Sequence, residues 1–320
     1  MGRWLAKLFR RVIRTRQDCQ MSFPTLKNRD FLKVSDINKE ELMEILSLAL
    51  ELKKGNAPAM RKRNLEGKTL AMLFAKTSTR TRTSFEVAMT QLGGHAINLN
   101  WNETNFTKGD MKDEAKVLGL YCDAVMTRVP TRQQNLELAA GCEKPVVNGM
   151  DDLHHPCQTL ADLMTILEEK ETLEGLKIGW VGDGTNVCNS LIEAAELLDM
   201  KMTVACPEGY DPKIRGKAAI LREPREAARL ADVLVTDTWI SLGFEKEKET
   251  RLNVFKGYQL NSNLLKYAKE DCIVLHCLPA TRGYEITSDV MDSPHSRVFE
   301  EAENRLHTEK ALLLKLIGDD

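Results

Sequence analysis

Ser78-Thr-Arg-Thr-Arg82 packs three hydroxyls and two guanidiniums into five consecutive residues between a short apolar run and a helical pattern. Free backbone N–H groups and the positive end of a helix dipole make such a junction a site for phosphate or carboxylate. The hydroxyls add neutral donors, and an arginine adds a bidentate, charge-assisted clamp. A lone Ser-Thr-Arg reads as a plain helix cap with solvated arginines. Five such residues in a row favour the anion site.

Three other clusters carry weaker signals. Gly182-Asp-Gly-Thr-Asn186 looks like half of a dinucleotide fingerprint, yet Val187 stands where the third glycine belongs. Glu208, soon after the next apolar run, keeps a nicotinamide-dependent oxidoreductase reading open. His154-His155-Pro-Cys-Gln158 invites a metal, but the adjacent side chains diverge and no partner stands at helical ligand spacing. His155 and Gln158 read instead as hydrogen-bonding groups at a helix start, with a merely structural His-Pro corner as the competing account. Cys277 is by default a small core hydrophobe. A nucleophilic cysteine wants a partnered histidine or a helix N-terminus, and His276 faces the other way if its strand continues.

These clusters need elements to hold them. The spacing of Ile37, Leu42, Ile45, Leu46 and Leu50 predicts a helix, with Ser35 or Asp36 as its cap and Gly55 as its stop. Strands are expected over 69–74, 96–99, 124–127, from 146, and over 178–181, 202–205, 233–236 and 273–276. Helices are expected following Arg82 to Leu92 and over 111–120, 136–140, 156–168, 190–198 and 301–317. Such alternation predicts an α/β protein: two doubly wound parallel-sheet domains facing a central cleft, closed by a C-terminal helix. In that architecture ligands sit beyond the carboxyl ends of the strands. The polar clusters fall there five times, at Ser78–Thr81, Arg128, Gly182–Asn186, Asp237 and Cys277. The expected division is an extension at 1–20, a first domain at 21–152 and a second at 153–320.

Composition narrows the function. The 320 residues carry 45 Lys+Arg against 47 Asp+Glu, a net charge of -2, which excludes a protein that holds nucleic acid by bulk positive potential. No run approaches the ~20 apolar residues of a bilayer span. Eight cysteines occur without a CxxC pair, so reduced thiols are expected in place of disulfides or a zinc module. Residues 1–17 hold six basic residues and no acid. The spacing of Trp4, Leu5, Leu8, Phe9, Val12 and Ile13 predicts a basic amphipathic helix, read either as a targeting peptide or as a non-essential extension ahead of Met21.

Taken in order, these segments resemble the aspartate/ornithine carbamoyltransferase family, and its ornithine branch in particular. The matching stretches are Ser78-Thr-Arg-Thr-Arg-Thr-Ser-Phe-Glu86, Arg128-Val129, His155-Pro-Cys-Gln-Thr-Leu-Ala-Asp162, Gly182-Asp-Gly-Thr-Asn186, Asp237-Thr-Trp-Ile-Ser-Leu-Gly243, His276-Cys-Leu-Pro279 and Ala302-Glu-Asn-Arg305. The resemblance implies carbamoyl transfer from carbamoyl phosphate to the side-chain amine of L-ornithine, giving L-citrulline and phosphate, as in arginine biosynthesis. It implies that Ser78, Thr79, Arg80 and Thr81 hold the phosphate, and that Arg128 reaches phosphate and carbonyl. It implies that His155 donates to the carbonyl, that Gln158 holds the carbamoyl amide, and that Cys277, Leu278 and Arg305 complete the pocket. Asn186, Asp237, Ser241 and Leu242 are implied for the amino acid. Arg128, His155, Asp237 and Cys277 are the implied catalytic set. No metal or other cofactor is expected, nor nucleic acid as a partner. A homotrimer or larger homo-oligomer is expected in the cytoplasm, or in the mitochondrial matrix if the extension is a targeting peptide.

Three departures from the ornithine-branch pattern stand out. Leu242 replaces a methionine at conserved volume. Asn98–Asp110 does not follow the branch's loop, and Lys108 reads either as a cation for a neighbouring subunit's site or as a solvated loop residue. The stretch from Pro212 to Pro224 is short. The unusual loop leaves a lysine-like acceptor open, while Cys277 in place of the aspartate branch's proline disfavours aspartate, and Asp237 with Ser241, matched to an α-amino acid, disfavours putrescine.

Overall fold

Strand β1 (Thr69–Phe74) buries five of its six side chains and β3 (Ala124–Arg128) buries all five, which is the mark of strands covered on both faces. The computed structural model describes residues 26–55, 64–240 and 245–318. With β2 (His95–Asn100) and β4 (Val146–Met150), these strands form a parallel sheet in the order β2-β1-β3-β4. A second parallel sheet has the order β7-β6-β5-β8-β9. Its strands are β5 (Lys177–Val181), β6 (Lys201–Ala205), β7 (Ala219–Leu221), β8 (Val233–Thr236) and β9 (Ile273–His276). The α/β class with two parallel sheets agrees with the sequence reading. The three-residue edge strand β7 lies in the shortened stretch and had no sequence signal.

Helices fill the crossovers. They are α1 (Lys39–Lys53), α2 (Thr79–Gln91), α3 (Met111–Tyr121), α4 (Arg132–Gly141), α5 (Pro156–Lys170) and α6 (Asn186–Leu197), then the short α7 (Pro224–Ala228), α8 (Lys248–Val254), α9 (Ser262–Leu265) and α10 (Ser288–Met291), and finally α11 (Val298–Ile317). The cap of α1 differs from expectation. Asn38, not Ser35 or Asp36, accepts from the Glu41 N–H, and the Glu41 carboxylate returns to the Asn38 N–H at 2.9 Å. This reciprocal capping box satisfies two helix-end donors at once. Asp36 instead accepts from the Leu32 and Lys33 N–H groups one turn earlier.

Two helices bind the sheets together. Every side chain of α5 from Pro156 to Leu167 is buried. The last helix, α11, leaves the second sheet and packs on α1, α2 and α5, returning to the first half of the chain. One apolar core accordingly runs from Leu70, Met72 and Met126 through Leu160 and Leu163 to Trp180, Leu275 and Leu312. The loop at 98–110 folds into two short 3₁₀ turns, with Trp101 and Phe106 stacked at 5.5 Å and Lys108 exposed. No helix among the described residues is long and apolar enough to cross a membrane. The expectations for residues 1–20, Ser241 and Leu242 lie outside the described residues.

Candidate active site

At the carboxyl end of β1, Ser78 caps α2 and its hydroxyl accepts from the Thr81 N–H at 3.2 Å. The cap supports the helix without using up the anion-binding capacity of this turn, since Thr79 stays exposed and Arg80 is half-buried. The Arg80 guanidinium reaches across 198 residues to donate to the Leu278 carbonyl. Leu278 holds that carbonyl with φ of 58°, a left-handed conformation that costs a residue with a Cβ about 1–2 kcal/mol.

Arg305, from α11, ties the cluster together. Its Nη2 donates to Thr81 Oγ1 at 3.2 Å and its Nη1 to Gln158 Oε1 at 3.0 Å. Glu309, one turn further on, accepts from Nε and Nη2 at 3.0 and 2.7 Å. Arg128, the last residue of β3, has only a long 3.5 Å contact from Nη1 to the Gly149 carbonyl, and its buried Nε has no partner among the described residues. Burial pushes its pKa down to about 10, with Arg305 and Arg80 adding to the effect. Three guanidiniums therefore gather here, and among the described residues only Glu309 is in direct ion-pair contact with any of them, which leaves a strong field for an anion.

His155 occupies the N-cap position of α5, and its backbone N–H donates to Ser190 Oγ at 2.8 Å. Its Nδ1 is buried without a partner among the described residues. Burial holds its pKa well below the usual histidine range, and Arg305, Arg128 and Arg80 depress it further. At neutral pH the ring is a neutral imidazole, able to donate one hydrogen bond without carrying charge.

The second sheet supplies a group of opposite character. Asp237, just past β8, accepts from Cys277 Sγ at 3.1 Å and from Thr185 Oγ1 at 3.0 Å. Burial pushes the Cys277 thiol well up, and the Asp237 carboxylate pushes it further, so it is a thiol and a donor at neutral pH. His276 does not project away as a continued strand would require. The chain turns after β9, and the Leu278 N–H donates to His276 Nδ1 at 2.9 Å. That bond assigns the ring proton to Nε2, which faces Glu285 Oε1 at 3.2 Å. Asp237, His276 and Cys277 offer ligand atoms within 4.8 Å of one another, but both imidazole nitrogens are already engaged. Asn186 begins α6, and its amide nitrogen donates to the Asp151 carbonyl at 2.5 Å.

The glycines of the Gly182 turn have local reasons. Gly182 has φ of 132°, and a Cβ on Gly184 would lie 2.2 Å from the Pro212 nitrogen. The 211–212 backbone passes against Gly184, and the backbone conformation of Gly182 is one that glycine tolerates, so both have local reasons without a dinucleotide.

The structure thus brings Arg80, Thr81, Arg128, His155, Gln158 and Arg305 into one cluster, with Asp237, Cys277 and Leu278 beside it. Sequence reasoning missed Glu309, Asp162, Glu301 and the His276–Glu285 contact. The signal for some was present: Gln158/Asp162 and Glu301/Arg305/Glu309 sit four residues apart on helices, where side chains share a face.

Comparison with known proteins bears on the family and the fold. Residues 29–168 match the carbamoyl-P binding domain of aspartate/ornithine carbamoyltransferase, and residues 174–316 match its Asp/Orn binding domain. The ornithine carbamoyltransferase of Archaeoglobus fulgidus is 48% identical over 302 residues, covering 91% of this chain and 98% of that protein. That of Pyrococcus horikoshii is 47% identical over 308 residues, covering 92% and 97%. Among solved structures, ornithine carbamoyltransferase from Pyrococcus furiosus superposes with a TM-score of 0.86 at 44% identity, over 92% of this chain and 99% of that one. With both halves matched and the arginine cluster assembled between them, the chain belongs to the aspartate/ornithine carbamoyltransferase family.

Proposed function

We propose that the protein transfers the carbamoyl group of carbamoyl phosphate to the side-chain amine of L-ornithine, forming L-citrulline and phosphate, in the service of arginine biosynthesis. The observation that carries this reading is the contact between the two halves at Arg80 and the Leu278 carbonyl. Through this contact the anion-binding arginine cluster lies against the Cys277–Asp237 pair.

In this mechanism Ser78, Thr79, Arg80 and Thr81 hold the phosphate at the N-terminus of α2, with Arg305 bridging to Thr81. Arg128 and the neutral His155 ring donate to the carbonyl oxygen, and Gln158 accepts from the carbamoyl amide. The cationic α-amino group of ornithine meets Asp237, its carboxylate lies by Asn186, and Ser241 and Leu242 complete that side. A neutral side-chain amine attacks the carbonyl carbon. The new C–N bond forms, negative charge builds on the carbonyl oxygen, and the C–O bond to phosphate breaks. Net transfer of one amine proton to the departing phosphate balances the reaction. Each well-placed donor to the developing oxyanion is worth about 3–4 kcal/mol, and the two halves hold the reactants together in place of a bimolecular encounter.

The deciding assay supplies carbamoyl phosphate with ornithine, lysine, putrescine or aspartate and measures ureido product and phosphate together. Citrulline and phosphate in equal amounts from ornithine alone are expected. An absence of product with ornithine would overturn the reading.

The same proposal includes self-association in the cytoplasm as a trimer. Val117, Leu120 and Tyr121 are 44, 71 and 77% exposed on α3, an apolar cluster of the kind that marks an interface. Sedimentation at three times the chain mass is expected, and Leu120→Lys with Tyr121→Lys should reduce it to that of one chain. A monomer at micromolar concentration for the unmodified protein contradicts the trimer.

A further inference from the structure

Gln158 is 2% exposed, and its amide is almost fully committed. The oxygen accepts from Arg305 Nη1 at 3.0 Å. The nitrogen donates to Asp162 Oδ1 at 2.9 Å and to Glu301 Oε1 at 2.8 Å. A primary amide has two N–H donors and two acceptor lone pairs. Both donors are spent on the carboxyl pair, and one lone pair remains on the oxygen, on the side where Arg305 lies.

The partners also determine which way the amide faces. Arg305 is a donor only, and the carboxyl oxygens are acceptors. A flipped amide would set its NH2 against the guanidinium and its oxygen against two carboxyl oxygens, losing three hydrogen bonds. Asp162 and Glu301 are each 1% exposed. Burial raises both carboxyls, and Asp162 raises Glu301 further, so of the two Glu301 holds a proton more readily. The second Glu301 oxygen accepts from the His276 N–H at 2.8 Å, one residue before Cys277.

We propose that Asp162 and Glu301 are positioning residues that lock the Gln158 amide with its oxygen toward the arginine cluster, so that the remaining lone pair reads the N–H of a carbamoyl group. The inference rests on the carbamoyl phosphate reading above. It makes the pair the origin of discrimination between a carbamoyl donor and an acyl phosphate of the same shape. A site built around a hydrogen bond penalises the analogue that cannot make it.

Two isosteric variants give opposite expectations. In Glu301→Gln only one oxygen is left at position 301. The backbone N–H of His276 cannot turn and claims that oxygen, so the new NH2 meets the NH2 of Gln158 and drives it to flip. In Asp162→Asn the new oxygen still accepts from Gln158, while the new NH2 donates to Glu301 in place of the shared proton. Glu301→Gln therefore misdirects Gln158, and Asp162→Asn leaves it in place.

The test is calorimetric binding of carbamoyl phosphate and of acetyl phosphate, which has a methyl group where the amine stands. Unmodified protein is expected to prefer carbamoyl phosphate about tenfold, the worth of one hydrogen bond. Glu301→Gln should erase that preference by weakening carbamoyl phosphate alone, whereas Asp162→Asn should retain it. Equal binding of both ligands by the unmodified protein overturns the proposal without any variant. So does a preserved preference in Glu301→Gln that melts as a folded protein. Binding of neither ligand by the unmodified protein sinks the carbamoyl phosphate reading, and the inference with it.

Discussion

Arg80→Ala abolishes useful carbamoyl phosphate binding and leaves the fold intact. The guanidinium stands in the first turn of α2, where N–H groups and helix dipole already favour an anion. It adds up to two charge-assisted hydrogen bonds to that anion. At about 1.5–3 kcal/mol each after desolvation, the loss of two costs about 3–6 kcal/mol, or two to four orders of magnitude in affinity. The helix does not depend on it, because Ser78 provides the cap. Calorimetry with carbamoyl phosphate, beside a thermal melt, is the measurement. Affinity within threefold of the unmodified protein would show that the 78–82 turn is a helix cap and nothing more. Arg80→Lys is expected to recover only part of the loss, because an ammonium cannot reproduce the planar fork.

The second large effect has two opposite signs. Arg128→Met should lower kcat by about 10²–10³, the range for removing one oxyanion donor, and should raise the melting temperature. Arg128 is buried beside Arg305 and Arg80 and lacks a partner for Nε among the described residues. A buried cation whose neighbours are cations is a standing penalty, and an apolar side chain of similar length relieves it. A gain of about 1 kcal/mol corresponds to a rise of a few degrees. Steady-state kinetics and a thermal scan on one preparation check both signs. A fall in melting temperature would mean that Arg128 stabilises the resting protein, contrary to its surroundings here.

Much of this site was legible in the sequence because strand ends announce themselves. Apolar runs such as 69–74 and 233–236 stop where polar residues begin, and the chemistry lies at those stops. Thr79–Thr81, Arg128 and Asp237 were found in that way. What stayed hidden is the layer behind them. Asp162 and Glu301 are 139 residues apart on helices whose neighbouring residues are mostly buried, so a periodicity reading absorbs them into the core faces. Asp162 closes a motif that was recognised without a role for its last residue. The His276–Glu285 contact was hidden for a different reason. It depends on a left-handed Leu278 that turns the chain back on itself, and nothing in His-Cys-Leu-Pro requires that turn. The Asn38 cap was missed through simple competition, since Ser35, Asp36 and Asn38 all suit a helix start and only the Glu41 partner decides between them.

The return of α11 to the first half bears on how such a protein can be cut and recombined. Residues 29–168, expressed alone, contain the 78–82 turn, Arg128, His155 and Gln158 but not Arg305 or Glu301. Such a fragment would present α1, α2 and α5 stripped of their cover and a cluster without its central clamp. A chimera that joins the first half of this chain to the second half of a relative therefore imports the relative's arginine together with its acceptor side. Exchanging only the stretch between the first sheet and α11 moves the acceptor side and leaves Arg305 and Glu301 with the half they clamp, whereas a single junction between the two sheets carries Arg305 and Glu301 along with the acceptor side.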